Sequence, residues 1–445
     1  SGLKRDKTSR QNTTFALKKR ANFETCWKSV KSSKAEEIIS CLAIDSGAII
    51  TRADHASKCI PRVSVLTGKY HKLLHSLSIL TFIATFVLIS IGGIVTSTDS
   101  GMAVPDWPTT FGYNMFLYPL SKTISGYIVS IDAKLQVDLD NSIFSPSLQN
   151  AIESKDDHIS LSTVSKIEVM ESGKLWRIND SENHRTFTVK KAANELEIYV
   201  QGVFAEHSHR LMGSIVGLLT ISLAISIWKF DQRKWMKWLG GIALLGVIIQ
   251  GALGGLRVTE ISVIFAIVHA CLAQAFLALC CGLMMFTSRE WTEWHHNVEG
   301  AILLRHLSIF TTGGVYFQLI WGAILRHTAS QLQTHVFFAI LVANCVLWIA
   351  SRVFIHHRDF PEFTVPSLFL GVFLILQIVL GIGAWFSEFQ LGDSLASLPR
   401  IAITTGHLVI GALMLVTSVI LTLRVFLYSS AFKGYSSNPV REVSV

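Results

Sequence analysis

Eight apolar runs of about 20 residues set what this chain can fold into. They extend from about Leu74 to Thr96, Leu211 to Ile227, Trp238 to Leu256, Ser262 to Thr287, Leu303 to Leu325, Leu332 to Phe354, Val365 to Phe386 and Ile401 to Leu427. In hydrocarbon every backbone N–H and C=O must be satisfied within the protein, so runs of this length read as membrane helices. The composition agrees: 50% of residues are hydrophobic and 16% charged, where a soluble domain carries about 25% charge. The expected fold class is an all-α polytopic membrane protein.

Charge orients the helices. The net charge of +8 is concentrated in residues 1–72, which hold more than twice as many Lys and Arg as Asp and Glu. Further basic segments are Lys229 to Lys237, Arg289, Arg352 to Arg358, and Lys433 with Arg441. All lie on one side of the membrane if both termini are cytoplasmic. The basic balance therefore reports topology rather than nucleic-acid binding. Residues 1–70 form a basic tail, read either as a cytoplasmic extension of low order, the favoured reading, or as a targeting segment.

Residues 71–120 supply the first span and an external loop, with Pro105-Asp106-Trp107-Pro108 as a rigid turn. Residues 121–200 change character. Apolar and polar residues alternate from Ile124 to Val137, Lys166 to Met170, Leu175 to Ile178, Phe187 to Val189 and Glu195 to Val200. Asn179-Asp180-Ser181-Glu182-Asn183 marks a turn between two of these runs. This is the pattern of a small antiparallel β-rich insert on the extracytoplasmic side. Residues 201–287 hold spans two to four, 288–430 spans five to eight, and 431–445 a cytoplasmic tail. Of the seven cysteines, Cys26, Cys41 and Cys59 fall in the basic tail and Cys271, Cys280, Cys281 and Cys345 in apolar helices. None falls in an external loop, so no structural disulfide is expected there.

The chemistry concentrates where span two begins, at Glu206-His207-Ser208-His209-Arg210. Ionisable groups at the mouth of a membrane helix are costly unless they pair, ligate or react. Glu206 and His209 are three apart and share a helix face, whereas His207 points elsewhere. The alternative for the stretch is a set of interfacial side chains reaching water. Three further histidines decide between the two. With the topology above, spans two, four, six and eight run in the same direction, and His209, His269, His335 and His407 each lie within about the first two turns. Two imidazoles facing each other across a bundle can bind one haem iron axially, so four make two haem sites. Arg257 and Arg326 follow Gly/Ala-rich segments at the same face, where a guanidinium suits a haem propionate. His71, His75, His158, His184, His295, His296, His327, His356 and His357 read as solvated or interfacial. Spans one to four and five to eight thus resemble two pseudo-symmetric four-helix bundles, each with two histidines. Of the four histidines, His209 alone has a carboxylate three residues before it, since Ala266, Leu332 and Thr404 hold the equivalent positions. One site therefore suits chemistry and the other electron transfer.

These residues resemble the haem A synthase family over about residues 70–120 and 200–430. The motifs are Gly92-Gly93 through Asp99-Ser100-Gly101, then Pro105-Asp106-Trp107-Pro108, then Glu206 to Arg210, with the four histidines in matching helices. The resemblance implies an oxidoreductase that converts haem O to haem A for cytochrome c oxidase, turning the C8 methyl into a formyl group by successive hydroxylations and dehydration. It implies haem O at His209 and His269, a haem b cofactor at His335 and His407, and Glu206 as the catalytic acid or base. The chain departs from the family at Val104, where many relatives have a cysteine, and at Thr96, where many have arginine. The β-insert also lies outside the usual pattern.

The main competing reading is a di-haem b-type membrane electron carrier, which accounts for four histidines but not for Glu206. A transporter with proton relays is a third, disfavoured by the scarcity of Asp, Glu and Lys at span centres. Expected partners are the lipid bilayer, haem O synthase, oxidase assembly factors, an electron donor of unknown identity, and a second copy of the chain in a homo-oligomer. The expected location is the bacterial inner membrane, with the mitochondrial inner membrane as the alternative.

Overall fold

Eight helices of the computed structural model are long and apolar enough to cross a membrane, among the described residues 69–104, 106–125, 127–130, 164–170, 175–180, 185–192, 195–293, 302–391 and 397–429. The N-terminal tail with its three cysteines, His158, His184, His295, His296 and the residues from 430 onward lie outside that set. Helix α1 spans Lys72–Ser97 and is followed by the short α2, Leu120–Ser125. After the insert come α3 (Val203–Phe230), α4 (Lys234–Thr259) and α5 (Val263–Phe286). A short helix α6 (Arg289–Glu293) leads to α7 (Ile302–Thr328), α8 (Leu332–His356), α9 (Pro361–Trp385) and α10 (Ser397–Ser429). The chain is a multi-pass α-helical membrane protein.

The eight spans form two groups of four, each with its own core. Leu74, Val216, Leu223, Ile227, Met236 and Phe276 pack together within α1, α3, α4 and α5. Leu304, Val342, Val346, Phe363, Leu415 and Tyr428 do so within α7 to α10. A smaller cluster of Ile89, Leu277, Cys281, Ala412 and Val416 joins α1 and α5 to α10. Polar contacts reinforce this seam: Tyr316 Oη donates to Cys271 O at 3.2 Å, and Thr404 Oγ1 to Ser97 Oγ at 2.8 Å. Apolar packing alone gives little drive in lipid, so hydrogen bonds between helices contribute to holding the halves together.

The insert contains a five-stranded antiparallel sheet of order β1-β5-β4-β3-β2. Its strands are β1 (Tyr127–Ser130), β2 (Val164–Met170), β3 (Leu175–Asp180), β4 (Arg185–Ala192) and β5 (Glu195–Val200). Phe187 lies opposite Val200 and Val189 opposite Ile198. All four are buried, so the period-two alternation puts one apolar face inward. The alternation read from Ile124 starts too early, because Ile124 and Ser125 end helix α2. Gly202 connects β5 to α3 with φ +92, and a side chain there would collide with Ser100, so this junction needs glycine twice over.

Two further differences concern the second half. The seventh apolar run, read as ending at Phe386, is prolonged by a π-helical turn, Phe386–Leu391. His327, read from the sequence as solvated or interfacial, sits in the last turn of α7 and is half-buried.

Candidate functional site

The four histidines lie in the first three turns of α3, α5, α8 and α10. They meet in two pairs. The ring centroids of His209 and His269 are 6.5 Å apart, and those of His335 and His407 are 6.4 Å apart. A metal–imidazole bond is about 2 Å long and the ring centre lies about 1 Å behind its nitrogen, so two axial imidazoles on one iron have centroids about 6 Å apart. Both pairs have that spacing. His269 Nδ1 and His407 Nδ1 are buried without a hydrogen-bond partner, which suits atoms reserved for a ligand. Among the described residues no cluster of three or more His, Cys, Asp and Glu could hold a bare ion. Paired imidazoles fit the two axial positions of a macrocycle-bound iron.

Glycine makes room for each ring. A Cβ at Gly92 on α1 would lie 3.1 Å from His209 Nε2, and one at Gly254 on α4 3.3 Å from His269 Cε1. In the second half, a Cβ at Gly322 on α7 would lie 3.4 Å from His335 Cε1, and one at Gly381 on α9 3.0 Å from His407 Cε1. The same device therefore recurs in four helix pairs, α1/α3, α4/α5, α7/α8 and α9/α10. It relates the halves more closely than their side chains do.

Glu206 occupies the expected helix face but is not a free carboxylate. Its Oε2 accepts from Val104 N at 2.8 Å and its Oε1 from Arg210 Nη2 at 2.7 Å. The side chains are 4% and 8% exposed, so this is a buried ion pair. Arg210 donates further to Val104 O at 2.9 Å, Asp106 O at 2.6 Å and Thr109 O at 3.0 Å. One guanidinium thus holds the loop after α1 against α3, using the fork geometry that lysine lacks. His207 completes the seam, with Nδ1 3.3 Å from Thr110 Oγ1 and its ring 5.6 Å from that of Tyr118.

The loop is also organised from within. Asp106 accepts from Thr109 Oγ1, from Phe111 N at 2.8 Å and from Gly112 N at 2.7 Å. Burial pushes its carboxyl up, but these donors outweigh it and hold the group below the ordinary carboxylate range. Trp107 lies against Gly255 on α4, where a Cβ would collide with its ring. The loop therefore touches both α3 and α4 beside the His209–His269 pair.

The two arginines read from the sequence have different surroundings. Arg257 lies against Gly101, and among the described residues it has no hydrogen-bond or ion-pair partner. Arg326 is engaged: Nη1 donates to Glu388 Oε1 at 2.9 Å and Nη2 to Thr96 O at 2.8 Å. It ties α7 to the π-helical turn and to α1. Arg210 belongs to the ionisable stretch read from the sequence, but its clasp on the loop does not follow from that reading, and the glutamines Gln250, Gln318 and Gln377, which contact His269, His335 and His407, are not singled out there. Their available signals are the i,i+4 spacing from Glu206 and a polar residue inside an apolar run.

Residues 172–337 match the family model COX15-CtaA, described as cytochrome oxidase assembly protein. The matched segment contains Glu206, His209, His269 and His335. No curated protein sequence matches the chain. Over that segment, less than half of the chain, the protein is similar to the COX15-CtaA family of cytochrome oxidase assembly proteins.

Proposed function

We propose that the protein is a haem A synthase, an oxidoreductase that takes haem O as substrate at His209 and His269 and oxidises its C8 methyl to a formyl group. The single observation that carries this reading is the pair of His–His spacings, 6.5 and 6.4 Å, with each ring set against a glycine of the paired helix. The family's role in cytochrome oxidase assembly supports the choice of haem A as product. On this reading the second pair, His335 and His407, holds haem b, which supplies one-electron redox chemistry when bound. The donor that exchanges electrons with it, and partnership with haem O synthase or other assembly factors, are further parts of the proposal. So are a homo-oligomeric state and a place in the bacterial inner membrane with both termini cytoplasmic.

The chain's own residues have defined tasks in this scheme. His209 and His269 orient the substrate through its iron. Arg257, the unpartnered cation beside them, receives a propionate. Arg326 keeps donors beyond the two it uses, so it remains the candidate cation for the second half. The loop from Val104 to Gly112, clasped by Arg210, limits water at the first pocket. Glu206, one helical turn before His209, would take the hydroxyl proton of the geminal diol as that diol loses water to give the formyl group. Both of its oxygens are engaged, but each keeps a second lone pair.

The competing reading, a two-haem electron carrier, draws on one observation: a Glu206 ion-paired with Arg210 is explained by loop anchoring alone. Glu206→Gln separates the two. Glutamine keeps an acceptor for Val104 N, so both haems should stay bound. Conversion of haem O, followed by chromatography of extracted pigment, should fall by about 10²–10⁴-fold, the usual worth of a general acid or base. Full conversion in this variant would remove the proton-transfer role.

A further inference from the structure

Three helices carry a glutamine one turn before the glycine that faces a histidine. These are Gln250 before Gly254 on α4, Gln318 before Gly322 on α7, and Gln377 before Gly381 on α9. On α1 the equivalent position before Gly92 is Leu88. Each glutamine reaches the histidine of the paired helix, but not in the same way. Gln318 Nε2 donates to His335 O at 2.9 Å and lies 3.1 Å from its ring Nδ1. Gln377 Nε2 lies 3.3 Å from His407 Nε2. Gln250 Nε2 donates to His269 O at 3.2 Å, while His269 Nδ1 has no partner. The second half thus has an amide at both imidazole rings. In the first half, Leu88 offers no polar atom and packs with the apolar cluster.

The amide oxygens complete the pattern. Oε1 of Gln250, Gln318 and Gln377 is buried without a hydrogen-bond partner in each case. An amide presents the same outline when turned by half a revolution, which exchanges its donor and acceptor ends. An imidazole that ligates iron through one nitrogen carries its proton on the other, and an acceptor for that proton fixes ring orientation and strengthens the ligand. Gln377 can place such an acceptor within reach of the His407 ring, whereas Gln318 keeps its Nε2 on His335 O and anchors that histidine through its backbone.

We infer that Gln318 and Gln377 are positioning residues that lock His335 and His407 and slow the loss of haem from the second half, whereas Leu88 leaves His209 without this hold and lets the first half exchange its occupant faster. The inference rests on the two-haem reading and adds to it a physical reason for unequal residence.

The test uses the full-length, haem-loaded protein in detergent, with excess apomyoglobin as haem acceptor. The readouts are the rate of haem transfer and the electron paramagnetic resonance signal of the remaining low-spin haem. Gln318→Leu and Gln377→Leu should speed loss of the second-half haem by about 10–100-fold and shift its signal. Leu88→Gln should slow loss from the first half by about tenfold. Gln250→Leu serves as a control and should leave the second-half rate unchanged. Wild-type rates and signals in both Gln318→Leu and Gln377→Leu would overturn the inference while leaving the two-haem reading intact. A wild-type protein without any bis-histidine signal would overturn that reading instead.

Discussion

Leucine at His335 or His407 is expected to strip haem b from the second half while the first half stays loaded. The two rings are the pair's iron ligands on the account above, with centroids 6.4 Å apart. No third His, Cys, Asp or Glu clusters with them among the described residues to take over. The loss should therefore exceed the about 10–100-fold affinity cost of removing an outer partner of a ligand. Methionine at either position keeps a ligand atom, so it should retain part of the haem with a raised reduction potential, as Met/His ligation does elsewhere. Haem typing of the purified variants checks this. Loss of haem O with retention of haem b in these variants would reverse the assignment of halves.

The second large effect belongs to Arg210. Its guanidinium serves Glu206, Val104 O, Asp106 O and Thr109 O together, and both members of the ion pair are buried. Arg210→Met removes one partner and leaves the carboxylate uncompensated, which costs about 3–5 kcal/mol in a buried pair. Glu206→Gln removes the charge but keeps hydrogen-bonding capacity, so it should cost less. The double variant should recover part of the loss, because an unpaired buried charge no longer remains. Arg210→Lys should fall between, since one ammonium cannot span four acceptors. Thermal stability of the detergent-solubilised variants and hydrogen exchange across residues 98–113 report these differences. Equal stability of Arg210→Met and the wild type would show that the clasp carries no energetic weight.

Much of this architecture is legible in the residues because membrane physics limits the choices. A run such as Leu332 to Phe354 has one stable form in lipid. Its helix indeed covers Leu332–His356. The four histidines are legible for a related reason, since an imidazole in an apolar helix needs a purpose. Phe187, Val189, Ile198 and Val200 announce a strand face by alternation alone. What stays hidden depends on which helices are neighbours. The partnership of Arg326 with Glu388 crosses 62 positions and requires the bundle to bring the end of α7 to the π-helical turn after α9. Gln318 and Gln377 are single polar residues in apolar runs, and only the approach of the paired helix gives them a histidine. Ile124 misleads because a single helical turn and the start of a strand look alike over a few residues. Glu206 is half legible: its helix face follows from spacing, while the engagement of both its oxygens follows from the loop that folds over it.

The most direct test of the account is to extract the pigments from the purified wild-type protein and type them by chromatography and by pyridine spectra. The account predicts haem b together with haem O or haem A in one preparation, the mark of a resident cofactor beside a substrate or product. Two equivalents of haem b per chain, with neither haem O nor haem A, would contradict it and favour an electron carrier.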